Sequence, residues 1–286
     1  MSLTMGIGPF GHAPAGRFNR QIPREGLLYL EPFPRRIRGL LDGEVVVDSV
    51  RVTLLHEHAR LPRYCFPRDD VLPGLLVPNG RRADSRATGQ TDLLDLRLGD
   101  RVVADGAFAY AAPPTGAEGL DGLVAFYWAA LDGWLEEDEP VIGHARDPYH
   151  RVDALASSRS VRISLDGELL AESARPTIVF ETGIMPRWYL ARDDVRAELE
   201  PGTARTVCAY KGHPVYWSAR TASGLHENVA WSYPEPLPGV TAIAGKVAFF
   251  DEHVDVEVDG EARERPWSPW SEPRWWERIG DFQRTI

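Results

Sequence analysis

The stretch TVCAYKGHPVYWSARTASGLHENVAWSYPEP, from Thr206 to Pro236, gathers side chains that could do chemistry. It holds a thiol (Cys208), an amine (Lys211), an imidazole (His213) and an amide (Asn228) among the rings of Tyr210, Tyr216, Trp217, Trp231 and Tyr233. A thiol between an ammonium and an imidazole is the setting of a nucleophile, with Cys208 or Lys211 reactive and His213 moving protons. Lys211-Gly212 reads as a tight turn that presents a compact point charge to an anionic group. Tyr216, Trp217, Trp231 and Tyr233 could cage a flat or cationic ligand, with Asn228 orienting it. Each residue also has a plainer reading. Cys208 fits a buried strand, Lys211 a solvated turn, His213 the surface beside Pro214, and the rings a core.

An internal comparison bears on that choice. Residues 41–71 and 165–195 align without a gap and agree at 14 of 31 positions. The register continues with one residue lost, so that GAFAYAAP from Gly106 lies over VAWSYPEP from Val229 and GLVAFY over GKVAFF. A period of about 123 residues is that of a tandem domain duplication. The reactive stretch survives in the second copy alone. Cys208 faces Ser85, Tyr210 faces Ala87, Lys211 faces Thr88 and His213 faces Gln90. Tyr216 and Trp217 face Leu93 and Leu94, Asn228 faces Asp105, and Trp231 faces Phe108. Tyr233 keeps Tyr110, and Gly212 keeps Gly89. What both copies retain is architecture, and what one retains is a candidate for chemistry.

Secondary structure is predicted as mostly β. Asp-Gly recurs at 42–43, 105–106, 121–122, 132–133, 166–167 and 259–260, and this pair suits two-residue hairpin turns. Strands are expected over 44–57, 123–128, 168–181, 214–219, 229–233 and 243–249. One short helix is expected after Asp193, capped there and stopped by Pro201-Gly202. Period two sorts Ser173, Arg175, Thr177 and Glu181 onto one face of their strand, as it does Ser49, Arg51, Thr53 and Glu57. That polar line is either a structural Arg–Glu network or the floor of a pocket, which makes Arg175 and Glu181 candidate binding residues. RDDV, at Arg68–Val71 and Arg192–Val195, should build a turn and helix cap.

The order DG, S-x-R, then C-x-Y-K-G, N-x-A-W-x-Y and G-x-V-A-F resembles the bacterial domain of unknown function 427 family. The resemblance covers roughly 35–135 and 160–260. It is strong in the second copy at Cys208, Tyr210, Lys211, Gly212, Asn228, Ala230, Trp231 and Tyr233, with Ala209 where the family has proline. The first copy departs at nearly every motif position. The resemblance implies an all-β fold of two tandem β-tent (Mss4-like) domains with few short helices, and nucleotidyltransfer has been suggested for the family. Relatives of that fold, such as methionine sulfoxide reductases and the thalidomide-binding domain of cereblon, carry two pairs of zinc-binding cysteines. Cys65 and Cys208 are the only cysteines and are not equivalent in the repeat, so no zinc, other metal or cofactor is expected.

The elements divide as follows. Residues 1–30 read as an extended Gly/Pro-rich leader, 31–150 as the degenerate first domain, and 159–262 as the second domain with the CAYKG motif. A Trp-rich tail, 263–286, either packs back across the domains or binds a partner protein. With 43% hydrophobic and 26% charged residues, the chain has the make-up of a globular protein. A net charge of −10 argues against nucleic acid as a partner. No apolar run is long enough to span a membrane, no signal-peptide pattern is visible, and the expected compartment is the cytosol. Of the basic residues, 30 are arginine and two are lysine, both in the second copy. Six arginines against two glutamates between Arg17 and Arg38 form either a solvated leader strand or a phosphate-binding patch. The acidic run Glu136–Glu139 reads as a solvated loop, and His56 and His58 form at most a metal pair without a third ligand. The resulting expectation is a small anionic or heterocyclic ligand in a Lys/aromatic pocket of the second domain. The alternatives are a transferase acting on a nucleotide-like substrate and an interaction module built on the tail.

Overall fold

A computed structural model describes residues 4–22, 24–85 and 87–278. The chain divides between His150 and Arg151 into two compact units, and each is all-β with the same plan. In the first, a seven-stranded sheet runs in the order Leu28–Phe33, Val52–Glu57, Arg63–Pro67, Leu123–Phe126, Arg101–Ala112, Gly89–Leu98, Leu76–Ser85. A four-stranded sheet runs Glu139–Val141, Gly133–Glu136, Ile37–Leu41, Glu44–Ser49. The second unit repeats both. Its large sheet runs Val152–Ala156, Thr177–Glu181, Arg187–Leu190, Val247–Phe249, Gly224–Ser232, Val215–Thr221, Leu199–Pro201. Its small sheet runs Glu168–Ser173, Val161–Leu165, Asp255–Val258, Glu261–Arg263.

Residues 151–158, read from sequence as part of a join, thus supply an edge strand to the second large sheet. The strands expected over 44–57 and 168–181 each break in two, at residues 50–51 and 174–176. The chain crosses there from the small sheet to the large one. Three of the Asp-Gly pairs, at 42–43, 166–167 and 259–260, are hairpin turns with positive φ at both residues. Asp105 also has positive φ but lies inside the strand Arg101–Ala112.

The helix expected after Asp193 does not form. Arg192–Asp194 is a single 3-10 turn and Leu199–Pro201 is extended. The amides of Arg196 and Ala197 donate instead to the Leu170 carbonyl, and Val195 bridges Ala171, so contact with the small sheet overrides local helix preference. The RDDV aspartates close the crossing, with Asp70 and Asp194 accepting from the hydroxyls of Ser49 and Ser173 at 2.6 and 2.7 Å. Three arginines of the basic stretch are paired across the small sheet of the first domain. Arg35 pairs with Glu136 at 2.7 Å, Arg36 with Asp48 and Arg38 with Asp138, each at 2.5 Å, so the acidic run supplies two of the three partners. Among the described residues no helix is long and apolar enough to cross a membrane.

Each large sheet is apolar on both faces. One face packs on the small sheet, as Leu54, Phe66 and Leu94 do on Ile37, Val46 and Trp134. The other face carries a second cluster, built on Cys65 and Phe108 in the first domain and on Tyr189 and Trp231 in the second. The shared core is filled differently in the two copies. Gly39 pairs with Trp134 across the first small sheet, where Ile163 pairs with Val256 in the second. A Cβ on Gly39 would lie 3.2 Å from the Trp134 ring and 2.5 Å from Leu131, so the glycine makes room for the indole. Gly39→Ile should therefore overpack the site, and Trp134→Val should leave a cavity that costs about 3 kcal/mol. Chemical denaturation of the double variant is expected to show less loss than the sum of the two, as volume is restored. Strict additivity would mean that the two positions do not share one space.

Candidate functional site

The face of the second large sheet that points away from the small sheet holds most of the reactive residues. Tyr216, Trp231, Ala248, Tyr189 and Thr177 are successive partners across five strands and therefore share that face. Glu181 joins them four residues along from Thr177, and Tyr233 two along from Trp231. The motif Cys208–Gly212 folds over this rung as a closed turn. Its ends exchange both backbone hydrogen bonds at 2.9 Å, and positive φ at Gly212 lets the turn reverse. The turn drives Lys211 inward, where its Nζ donates to Glu181 Oε2 with both side chains buried.

Trp231 Nε1 donates to the Tyr189 hydroxyl at 2.9 Å, and the Tyr216 hydroxyl lies 2.7 Å from Thr206 Oγ1. Burial works against the Lys211 charge, but Cys208, Glu181 and Tyr189 outweigh it, so the ammonium is held above its ordinary range. Burial pushes the Tyr189 phenol up to about 12, partly opposed by Lys211, and raises Tyr216 and Tyr233 as well. The cluster thus keeps its ammonium charged and its phenols protonated at neutral pH. Cys208 and Tyr210 are half-buried and mark the side on which the cluster meets solvent.

Four of the residues singled out from sequence lie elsewhere. Trp217 cannot join a cage with Tyr216, because adjacent strand residues face opposite sides. It packs in the core between the sheets and donates from Nε1 to Ser232 Oγ at 2.9 Å. Asn228 is fully buried but committed to backbone. Its Oδ1 accepts from the amides of Thr203 and Ala204 at 2.9 and 3.0 Å, and its positive φ matches that of Asp105 in the first copy. The exchange of Asn for Asp thus keeps one bulge, since both types tolerate that conformation. Arg175 is exposed at the crossing between sheets, at the opposite end of the strand from Glu181, and its amide donates to Ser173 Oγ. Glu181 takes Lys211, not an arginine, as its partner. His213 is exposed.

Sequence reasoning missed Arg187. It is buried and bonds Glu252 twice, at 2.8 and 2.6 Å, with Asp251 at 3.5 Å and the rings of Trp231, Phe250 and Trp270 within 5.8 Å. Burial opposes the guanidinium charge and Glu252 outweighs it. Both copies keep this arginine, as Arg63 and Arg187, so comparing them gave no signal there. The signal lay in its partner, because Glu252 stands where the first copy has Ala129. The histidines of the first domain turn to different partners, His56 to Glu31 at 2.8 Å and His58 to the Phe10 carbonyl at 2.9 Å. Among the described residues no group of three or more His, Cys, Asp or Glu is arranged to hold a metal ion.

The first domain shows the same face without the lysine and with fewer polar rings. Thr88 stands for Lys211, Cys65 for Tyr189 and Phe108 for Trp231, while Glu57 pairs with Arg60 at 3.2 Å. Burial pushes the Cys65 thiol up to about 11, as expected of an inert packing residue. Lys211→Met in the second domain strands the Glu181 carboxylate and should cost about 3–5 kcal/mol in urea denaturation. Glu181→Leu/Lys211→Met should recover most of that loss, whereas a double variant as unstable as the single one would show that the pair itself holds the domain together.

A pH effect follows from the second ion pair. Burial raises the Asp251 carboxyl to about 6 from its ordinary 3.8, despite Arg187. The folded protein therefore binds an extra proton in that window, and the contribution of Asp251 to stability falls as pH rises from about 4 to 6. Glu252 is held below its ordinary 4.5 by Arg187 against burial, so its stabilisation is lost only at lower pH. In thermal melts from pH 4 to 7, Asp251→Asn should gain stability relative to wild type as pH rises through about 6, and parallel curves for the two proteins would refute the assignment.

Comparison with known proteins matches this architecture. The family described as a domain of unknown function, DUF427, matches at residues 29–137 and again at 153–260. None of the curated proteins compared matches the chain. The two family matches coincide with the two seven-stranded sheets and their small partners, and the chain belongs to the DUF427 family as a tandem pair of its domains.

Proposed function

We propose that this is a cytosolic small-molecule-binding protein whose second domain carries the site, with the first domain as its structural partner. The observation that carries the reading is the buried Lys211–Glu181 pair set among Tyr189, Tyr216, Trp231 and Tyr233. The first domain keeps the same fold with Thr88, Cys65 and Phe108 at the equivalent positions, so folding does not require the polar set. Glu181 already neutralises Lys211. A bare anion entering the site would have to displace that carboxylate or bear its repulsion. What the pair offers a ligand is a donor beside an acceptor, between aromatic walls. This suits a polar heterocycle, which carries both kinds of edge on a flat ring. Cys208 and Tyr210, half-buried at the turn, line the approach.

A second reading has one observation in its favour. Cys208 is partly exposed and within electrostatic reach of Lys211, as a nucleophile in a transferase would be. Alkylation by iodoacetamide much faster than that of a free thiol would support it, and an inert Cys208 would remove it. His213, being exposed, has no observed contact that would make it the proton carrier of such a reaction.

Thermal shift on the full chain tests the binding reading, with adenosine, uracil and nicotinamide as neutral heterocycles and phosphate and AMP as anions. A bound heterocycle at about 100 times its Kd should add about 2.7 kcal/mol, a rise of several degrees. The same compound should leave Glu181→Leu/Lys211→Met unchanged. Equal shifts in both proteins, or a response to phosphate alone, would overturn the heterocycle reading.

A further inference from the structure

The second domain closes its aromatic face with a segment that has no counterpart in the repeat. Both copies lay a 3-10 segment on that face, through Ala117 and Leu120 in the first and Val240 and Ile243 in the second. The second copy adds the tail, whose Trp270, Trp275 and Trp276 join the cluster. Trp275 is 1% exposed, with its ring 5.5 Å from Tyr216 and 4.8 Å from Phe250. Phe250 in turn lies 4.3 Å from Trp231.

The dock for this tail diverges as a unit. Asp251, Glu252 and His253 stand where the first copy has Trp128, Ala129 and Ala130. Glu252 accepts from Ser268 Oγ at 2.5 Å, and His253 Nε2 lies 2.6 Å from the Trp270 carbonyl. The last strand ends at Arg263, and residues 264, 265 and 267 are exposed, Trp267 at 72%. Among the described residues the tail beyond Trp267 is held by these two hydrogen bonds and by its packed tryptophans, and it takes part in no strand pairing.

We infer that the slot beside Tyr216 and Phe250, bounded by both rings, is a binding site for a flat aromatic group, which Trp275 fills as an intramolecular stand-in, so that the tail gates the site. The inference rests on the ligand-binding reading of the second domain and adds to it the apolar half of the ligand and the regulation of its entry. Three features support it. The first domain closes the same sheet without a tail, so the fold does not require one. The dock is present in the copy that also holds Lys211 and absent from the other. The group that fills the slot is an indole lying on the rung that leads from Tyr216 through Trp231 to Tyr189, the phenol beside Lys211.

Binding of 5-fluoroindole, followed by fluorine NMR, tests the slot. If the tail is closed nine-tenths of the time or more, Trp275→Ala should bind the probe at least about tenfold more tightly than wild type. Tyr216→Ala in the same background should abolish binding, and Trp267→Ala should behave as wild type. Equal affinity in wild type and Trp275→Ala would overturn the inference, as would binding indifferent to Tyr216. Native-state hydrogen exchange on the wild-type chain gives a measurement that needs no variant. The amides of Trp275 and Glu277 should exchange through openings smaller than those that release the Trp231–Ala248 pairing. Equal protection at the two places would rule out a gate. Heterocycle binding that needs Lys211 but ignores Trp275→Ala would sink the slot and leave the proposed function standing. Tight 5-fluoroindole binding by Trp275→Ala, without any heterocycle response that depends on Lys211, would do the reverse.

Discussion

Everything distinctive in this molecule follows from a sheet that must be covered on both sides. Each large sheet turns one apolar face to its small sheet and leaves the other to be closed by whatever segments can reach it. The first domain closes its outer face mainly with apolar side chains, Leu55, Leu93 and Phe108 under Ala117 and Leu120, beside Arg63 over the Phe108 ring at 4.9 Å and the Tyr110 hydroxyl 3.6 Å from Cys65 Sγ. The second adds to the same surface further phenols, an indole N–H and an ammonium, and gives its guanidinium a buried carboxylate partner. A buried polar atom without a partner costs more than its hydrogen bond returns, so each such group needs a specific neighbour. That requirement accounts for the Cys208–Gly212 turn, for the carboxylate of Glu181, and for the tail that seals Arg187 beneath Trp270.

The fold was legible because its signals are local. Period-two alternation and Asp-Gly turns speak for strands within a few residues, and the repeat fixed the domain plan without any packing information. The failures share a cause in longer range. Helix preference after Asp193 lost to backbone hydrogen bonds from the small sheet, which no window around Asp193 contains. Asn228 passed for an active amide because its counterpart is an aspartate. The physical property that matters there is tolerance of positive φ, which the two share. Comparing copies by residue name thus overstated the divergence at this position, and comparing by conformation would not have.

Within the site, legibility followed geometry. Tyr216, Trp231 and Tyr233 obey the alternation of their strands and meet; Trp217, one residue out of phase, lies in the other core. The rule that separates them was available from sequence, and the grouping of four rings ignored it. Glu181 was placed by the same rule on the correct face, although its partner sits 30 residues away on a turn whose inward direction only the fold reveals. Arg187 was hidden by its own retention. An arginine kept in both copies looks like architecture, and its role is decided by Glu252, which one copy has and the other lacks.

The two copies together amount to an experiment on the cost of the polar set. Buried ion pairs are often replaceable by apolar residues with no loss of stability, because desolvation consumes much of the Coulombic gain. Here the replacement exists in the same chain. The first domain carries Thr88 where the second has Lys211, packs Cys65 where the second has Tyr189, and forms the same sheets in the same order. An outer face without the lysine, the Tyr189 phenol and the Trp231 indole is therefore compatible with this fold. The second has instead kept a charge pair, a second ion pair beneath the tail, and three phenols whose acidity burial suppresses. Groups without which the first domain forms the same fold, arranged in the second on one face around one half-exposed turn, are the ground for the proposed binding site.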